Sequence, residues 1–82
     1  MTREELLQQL TTVFQDVFDD EQLTISEQTS ADDITDWDSL MHITLISAVE
    51  DEFQVKFGMQ EIIEMQNVGQ MADLIEQKTE HR

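Results

Sequence analysis

Apolar residues recur at steps of three and four along most of this chain, the spacing of amphipathic α-helices that each bury one face. The first such segment follows Thr2 and Glu5, a pair that predicts a capping box at a helix start. Its apolar positions are Leu6, Leu10, Val13, Phe14 and Val17. This helix should end near Asp19 and Asp20, because carboxylates are poorly placed at the negative end of a helix dipole.

A second helix is predicted from Ser39 to Phe53. Its apolar arc is wider than one packed face requires, so part of the arc should be exposed. The ridge expected in the core consists of Leu45, Val49 and Phe53. Leu40 and Ile43 lie on the adjoining strip and are expected to be at least partly exposed.

Between these helices, residues 20–36 lose the helical periodicity and become rich in Thr, Ser, Asp, Glu and Gln. We expect a long ordered loop pinned by a few hydrophobic contacts. Its apolar residues are Leu23, Ile25, Ala31 and Ile34. Loops of this length in compact domains are often functional, and both a functional loop and a spacer stay open.

Gly58 predicts a turn, after which a short third helix from Met59 to Glu64 should place Ile62 and Ile63 inward. Asn67 is a suitable N-cap for a last helix. The apolar positions of that helix are Val68, Met71, Ala72 and Ile75, and the cations near its C-terminal end are Lys78 and Arg82. The predicted fold is all-α: a four-helix bundle of three longer helices and one short helix, forming one domain over residues 1–82.

The charge balance limits the classes of partner. Lys and Arg total 4 against 19 Asp and Glu, for a formal net charge of -15. This excludes nucleic acid, whose phosphates are neutralised by basic residues, and it argues against anionic lipid. Basic patches on other proteins are favoured instead. No signal peptide or apolar run long enough to span a membrane is present, so we expect a cytoplasmic protein. We also expect a monomer.

The stretch from Asp36 to Ile43 is the main candidate for a functional site. Ser39 stands at the start of the second helix, where unpaired N–H groups and the helix dipole stabilise an anion, including a phosphate ester on the serine oxygen. Asp and Ser are also preferred N-cap residues. Two interpretations therefore remain open: a structural cap, or an attachment point for a phosphate group.

An acidic residue followed by Ser-Leu opens this helix, and an acidic run followed by Phe closes it. In this chain the pattern extends from Asp38-Ser39-Leu40 to Glu50-Asp51-Glu52-Phe53. The upstream helix, the long polar loop, the short helix and the Asn-Val-Gly start of the last helix accompany it. Together with the acidic balance, these features resemble the acyl carrier protein family over nearly the whole chain.

The resemblance implies that Ser39 carries 4′-phosphopantetheine, transferred from coenzyme A by a magnesium-dependent phosphopantetheinyl transferase. The thiol of the arm would hold acyl intermediates as thioesters for delivery to other enzymes, and the chain itself would have no catalytic residue. The absence of cysteine fits a protein that borrows its thiol. Acyl-loading and acyl-using enzymes would dock on the second helix through basic patches. The partner-binding residues implied are Asp38, Leu40, Met41, Ile43, Glu50 and Asp51.

The chain departs from the family pattern early in the second helix. Met41, His42 and Thr44 stand where acidic side chains are usual, so the partner set is expected to differ from that of a general fatty-acid carrier. Trp37 before the motif resembles stand-alone carriers that serve a specialised lipid, polyketide or related pathway. Trp37 is interpreted as a packing residue for the loop. His42 lies one helical turn from Asp38 and is expected to pair with its carboxylate.

The residues also allow three other functions to be compared with this one. A hydrolase with Ser39 as nucleophile and His42 as base lacks a glycine-flanked nucleophile turn and an evident oxyanion loop. A calcium-binding EF-hand requires a glycine at the sixth position of its loop. No choice of first loop residue in this chain places a glycine there, so no metal site is expected. An unmodified acidic adaptor, binding a partner protein through its second helix, stays open as the alternative function.

Overall fold

The computed structural model describes residues 2–80, which contain four helices. In chain order these are α1 (Arg3–Phe18), α2 (Ser39–Phe53), α3 (Met59–Glu64) and α4 (Val68–Glu80). Over the same residues, β-pairing is limited to one isolated bridge between Ser30 and Asn67. The all-α prediction, with three longer helices and one short helix, is confirmed. Arg82, which we expected near the end of α4, lies outside the described residues.

The start and end of α1 follow from local chemistry. Thr2 Oγ1 accepts a hydrogen bond from the Glu5 backbone N–H, and the Thr2 N–H donates to Glu5 Oε1, both at 3.1 Å. This is the predicted capping box. At the other end Asp19 adopts the left-handed conformation, with φ 52°, and its N–H donates to the Gln15 carbonyl oxygen. Such a residue stops the helix while satisfying one of its last carbonyls.

The core lies where α1 packs against both α2 and α4. Each long helix contributes four buried apolar side chains to it. These are Leu6, Leu10, Val13 and Phe14 of α1, Leu45, Ile46, Val49 and Phe53 of α2, and Val68, Met71, Ala72 and Ile75 of α4. The predicted core ridge of α2 and the predicted apolar face of α4 are therefore confirmed.

The loop between α1 and α2 is ordered, as predicted, and it also holds the start of α4. The first N–H groups of a helix have no acceptor within the helix. Here Val68 N–H donates to the Thr29 carbonyl at 2.8 Å, and Gly69 N–H donates to the Glu27 carbonyl at 2.9 Å. Three of the four apolar loop residues, Leu23, Ile25 and Ile34, pack partly buried against the core. The fourth, Ala31, is exposed.

Two of the cations in residues 2–80 connect helices. Arg3 of α1 forms ion pairs with Asp73 and, at 2.8 Å, with Glu76 on α4. Lys78 of α4 lies 3.0 Å from Glu61 on α3. These ion pairs connect α3 and the start of α1 to α4.

Candidate functional site

The start of α2 is capped by Asp38, and Ser39 is the first residue of the helix. Asp38 has an extended backbone, and its Oδ1 accepts a hydrogen bond from the Met41 N–H at 2.8 Å. Its carbonyl oxygen accepts the first intrahelical bond, from His42 N–H, also at 2.8 Å. The capping role therefore belongs to Asp38, and the exposed Ser39 is not needed as a cap.

The electrostatics at Ser39 suit a phosphate ester. The N–H groups of Ser39 and Leu40 precede the first intrahelical bond of α2, so they have no acceptor within the helix. The positive end of the helix dipole lies at the same place, and the first turn of α2 contains no acidic residue. A phosphodiester on Ser39 Oγ would therefore be stabilised by the backbone of the helix that carries it.

A cleft of about 870 Å³ opens beside Ser39, between α2, α3 and the loop. Its apolar lining comes from Trp37 before α2, Ile43 on α2, and Met59, Ile62, Ile63 and Met65 on and after α3. Its polar lining includes Gln28 and Asp32 of the loop and Gln66 and Asn67 before α4. Ser39 therefore stands at the edge of a space that is apolar on one side and polar on the other.

Trp37 is a core residue and not only a packing residue of the loop. It is 7% exposed, and its ring lies edge-on to Phe14, with centroids 5.4 Å apart and planes at 82°. Such aromatic pairs add to the free energy of burial. Trp37 therefore anchors the loop end directly before the capped start of α2.

The expectation that His42 pairs with Asp38 is wrong. His42 Nδ1 accepts a hydrogen bond from Trp37 Nε1 at 3.0 Å. On the other side of the ring, Nε2 lies 3.0 Å from the Ile62 carbonyl oxygen of α3. The Asp38 carboxylate is instead turned toward the backbone of its own helix. This arrangement was missed because Ile62 lies 20 positions away in the chain.

The exposed apolar residues beside the cleft come from two helices. Leu40 and Ile43 of α2 are 75% and 54% exposed, which confirms the prediction for this strip. On α3, Met59 is 70% and Ile63 is 65% exposed, so the prediction that Ile63 points inward is wrong. Adjacent helical residues point about 100° apart, so a narrow helix–core contact takes only one of Ile62 and Ile63. This rule could have identified, from the sequence, that Ile62 and Ile63 do not both point inward.

The other predicted partner-binding residues lie on or next to α2. Met41 is half-buried, while Asp38 and Asp51 are exposed. Glu50 is half-buried, and its Oε2 accepts a hydrogen bond from the Phe57 N–H at 2.8 Å. The Glu50 carboxylate therefore also holds the turn that follows α2.

The comparisons with known proteins agree with this geometry. Residues 8–75, which include Ser39, match the family model described as the phosphopantetheine attachment site. The chain belongs to the acyl carrier protein family. The prosthetic group of this family member is 4′-phosphopantetheine.

The structure is also similar to the solution NMR structure of a holo acyl carrier protein from Geobacter metallireducens. The two chains share 41% identity, with a TM-score of 0.86, over 92% of this chain and 86% of that one. A search of curated proteins found no match. At this identity and coverage, the helical arrangement is that of an acyl carrier protein.

Residues 2–80 contain neither a group of metal-ligating side chains nor a helix suited to a membrane. No three acidic or histidine side chains converge there in an arrangement that could hold a metal ion. None of the helices described there has the length and apolar character needed to cross a membrane.

Proposed function

We propose that this protein carries acyl groups as thioesters on a 4′-phosphopantetheine arm attached to Ser39 Oγ. In this proposal residues 1–82 act as one carrier domain that has no catalytic residue and delivers its cargo to separate enzymes. The observation that supports it most is the position of Ser39. It is exposed at the first position of α2, while Asp38 supplies the helix cap.

The attachment step requires Ser39 Oγ to act as a nucleophile toward coenzyme A. A bond forms from Oγ to the phosphorus next to pantetheine, the pyrophosphate bond breaks, and adenosine 3′,5′-bisphosphate leaves. The hydroxyl proton passes to a base of the phosphopantetheinyl transferase. Because Asp38 caps α2, this reaction leaves the hydrogen bonds of the first turn in place.

The surface around Ser39 suggests how enzymes would bind. Leu40, Ile43, Met59 and Ile63 form an exposed apolar surface next to the cleft. Asp38 and Asp51 are exposed carboxylates on or next to α2. An enzyme with an apolar patch flanked by Lys and Arg fits this surface, and the charges at its edge would mainly raise the association rate. Because Met41, His42 and Thr44 stand where acidic side chains are usual in the family, we propose partners other than those of a general fatty-acid carrier, in a specialised lipid or polyketide pathway.

Intact mass spectrometry tests the attachment. The purified protein is incubated with coenzyme A, Mg²⁺ and a phosphopantetheinyl transferase of broad specificity, and one arm should be added. Ser39→Ala should gain no mass. Ser47→Ala is the matched control because Ser47 is also an exposed serine on α2, and it should be modified like the wild type.

Two results would contradict the proposal. One is a mass gain in Ser39→Ala, which would place the arm elsewhere. The other is an unchanged mass in the wild type with several transferases that modify a known carrier in parallel. The second result would favour the unmodified acidic adaptor.

A further inference from the structure

α3 is the shortest helix and buries the least of its own surface. None of its six residues is buried, and a helix of this length is not stable in isolation. The residues that flank it, Phe57 and Met65, are buried and hold its two ends. Within α3, Ile62 packs partly buried against the core, and the remaining support comes from polar side chains of other helices.

Two polar side chains from other helices contact α3. Lys78 of α4 pairs with Glu61 at 3.0 Å, on the side away from the cleft lining. His42 of α2 contacts the Ile62 carbonyl oxygen at 3.0 Å and lines the cleft together with Ser39. Of these two, His42 is the one that connects α3 to the helix carrying the attachment serine.

The hydrogen-bond partners of His42 define its tautomer. An indole N–H can only donate, so Nδ1 must accept the bond from Trp37. The proton of the neutral ring then lies on Nε2, which donates to the Ile62 carbonyl. The Trp37 and His42 rings are also stacked, with centroids 5.9 Å apart and planes at 23°. Trp37 thus fixes the direction in which His42 donates to α3.

This contact lies next to the proposed attachment point. Ser39 and His42 are three residues apart, which places them on the same side of α2. Ile43, Ile62 and Met65 form an apolar lining of the cleft around them. A shift of α3 away from His42 would open this lining on the side of Ser39.

We propose that His42 is a positioning residue for the cargo. By holding the Ile62 carbonyl, it keeps α3 against α2, so that an apolar acyl chain folded back from Ser39 is covered by Ile43 and Ile62. With the chain held in the cleft, its thioester is shielded from attack by small nucleophiles in solution. This inference rests on the proposed function, since it needs an arm and an acyl chain on Ser39.

Two conservative variants separate the two hydrogen bonds of the ring. Asn at position 42 has an oxygen where Nδ1 lies, so His42→Asn can keep the bond from Trp37 but cannot reach Ile62. Gln has an N–H group where Nε2 lies, so His42→Gln can keep the bond to Ile62 and loses the bond from Trp37. His42→Ala loses both. Lys78→Gln is the matched control, because it removes the other contact to α3 outside the cleft.

Amide hydrogen exchange of the unmodified protein tests the contact without any arm. His42→Ala and His42→Asn should speed exchange of the α3 amides about two- to tenfold, the effect of losing one hydrogen bond. His42→Gln should exchange like the wild type. Equal exchange in His42→Asn and the wild type would overturn the inference.

Thioester cleavage tests the effect on cargo. The holo-protein is loaded with acetyl or octanoyl and treated with hydroxylamine, and the ratio of the two cleavage rates is compared between variants. The wild type, His42→Gln and Lys78→Gln should cleave octanoyl more slowly than acetyl. His42→Ala and His42→Asn should lose about two- to tenfold of that protection.

The other outcomes are distinguishable. Equal loss of protection in Lys78→Gln and His42→Asn would show general loosening of α3 and overturn the positioning role. A wild type that protects octanoyl no better than acetyl would overturn it too. Failure of the proposed function appears earlier, as a wild type that gains no arm by mass, and it removes the cargo role whatever the exchange data show.

Discussion

The carboxylate of Asp38 accepts a hydrogen bond from the backbone N–H of Met41, at 2.8 Å. From the sequence, either Asp38 or Ser39 could cap the helix, and this contact assigns the cap to Asp38. Asp38 caps the helix, and Ser39, one residue later, is left exposed at its first position. Substitutions at Asp38 should therefore change stability, while substitutions at Ser39 should change the proposed cofactor attachment.

Removing the cap should destabilise the protein without touching the serine. Asp38→Ala should lower the free energy of unfolding by about 1 kcal/mol, the usual cost of a lost N-cap. Asp38→Asn keeps a capping oxygen and should stay near the wild type. Ser39→Ala, an exposed substitution, should change it by less than about 0.5 kcal/mol. Urea unfolding followed by circular dichroism measures all three, and a larger loss in Ser39→Ala than in Asp38→Ala would assign the cap to Ser39.

Trp37 should be among the most sensitive positions of the loop. Trp37→Ala removes a buried ring that packs on Phe14, and such truncations cost about 3–5 kcal/mol. Domains of this kind have about 0.05–0.15 kcal/mol of stability per residue, so this variant should lose a large share of the total free energy of unfolding. Trp37→Phe keeps an aromatic ring and should cost less. Thermal unfolding by circular dichroism checks the order, and equal stability of the Ala variant and the wild type would contradict it.

Gly69 should not tolerate a side chain, although it lies in a helix. Alanine is normally favoured over glycine there by about 1 kcal/mol. A Cβ at position 69 would lie 3.0 Å from the Glu27 carbonyl oxygen, which already accepts the Gly69 N–H. Gly69→Ala should therefore lower the urea midpoint. Gly58→Ala is the control because an added Cβ there would meet only a side-chain oxygen at 3.7 Å. Gly58 is the N-cap of α3, where alanine is less favourable than glycine, so this variant should lower the midpoint by that preference alone and by less than Gly69→Ala.

Glu61 should make stability depend on pH in acid. The Gly58 backbone N–H, and then Lys78, lower the pKa of Glu61 below its usual value of 4.5. A lowered pKa in the folded state stabilises above the unfolded pKa, and this stabilisation is lost as the pH falls through the folded pKa. The difference in Tm between the wild type and Glu61→Gln should therefore be present at pH 7 and shrink below about pH 4.5. A difference that grows in acid would contradict this.

Salt should stabilise the protein. With a net charge of -15, repulsion among carboxylates opposes the compact state, and added ions screen it. NaCl or MgCl₂ should therefore raise the melting temperature measured by calorimetry. A melting temperature that does not respond to ionic strength would show that repulsion does not limit stability.

The helices were predictable because their signals are local. The capping pair Thr2 and Glu5, the apolar steps of each helix and the turn at Gly58 are contained in short segments, and the structure places helix boundaries accordingly. The exposure of Leu40 and Ile43 was predictable as well, because the apolar arc of α2 exceeds what one packed face can bury. The error at Ile63 came from assigning two adjacent residues of a short helix to one face.

The sequence by itself determined the four helices, the long loop, the acidic balance and the serine at the start of α2, since each depends on the spacing of nearby residues. Only the tertiary structure decided that His42 bonds to Trp37 and Ile62 instead of Asp38. It also decided that the loop backbone holds the first turn of α4. The contacts to the Ile62, Thr29 and Glu27 carbonyls join residues far apart in the chain, and every residue possesses such a carbonyl, so no sequence pattern marks them. The bond between Trp37 and His42 joins two nearby side chains, but the Trp37 ring is oriented by its packing on Phe14, which is distant in the sequence.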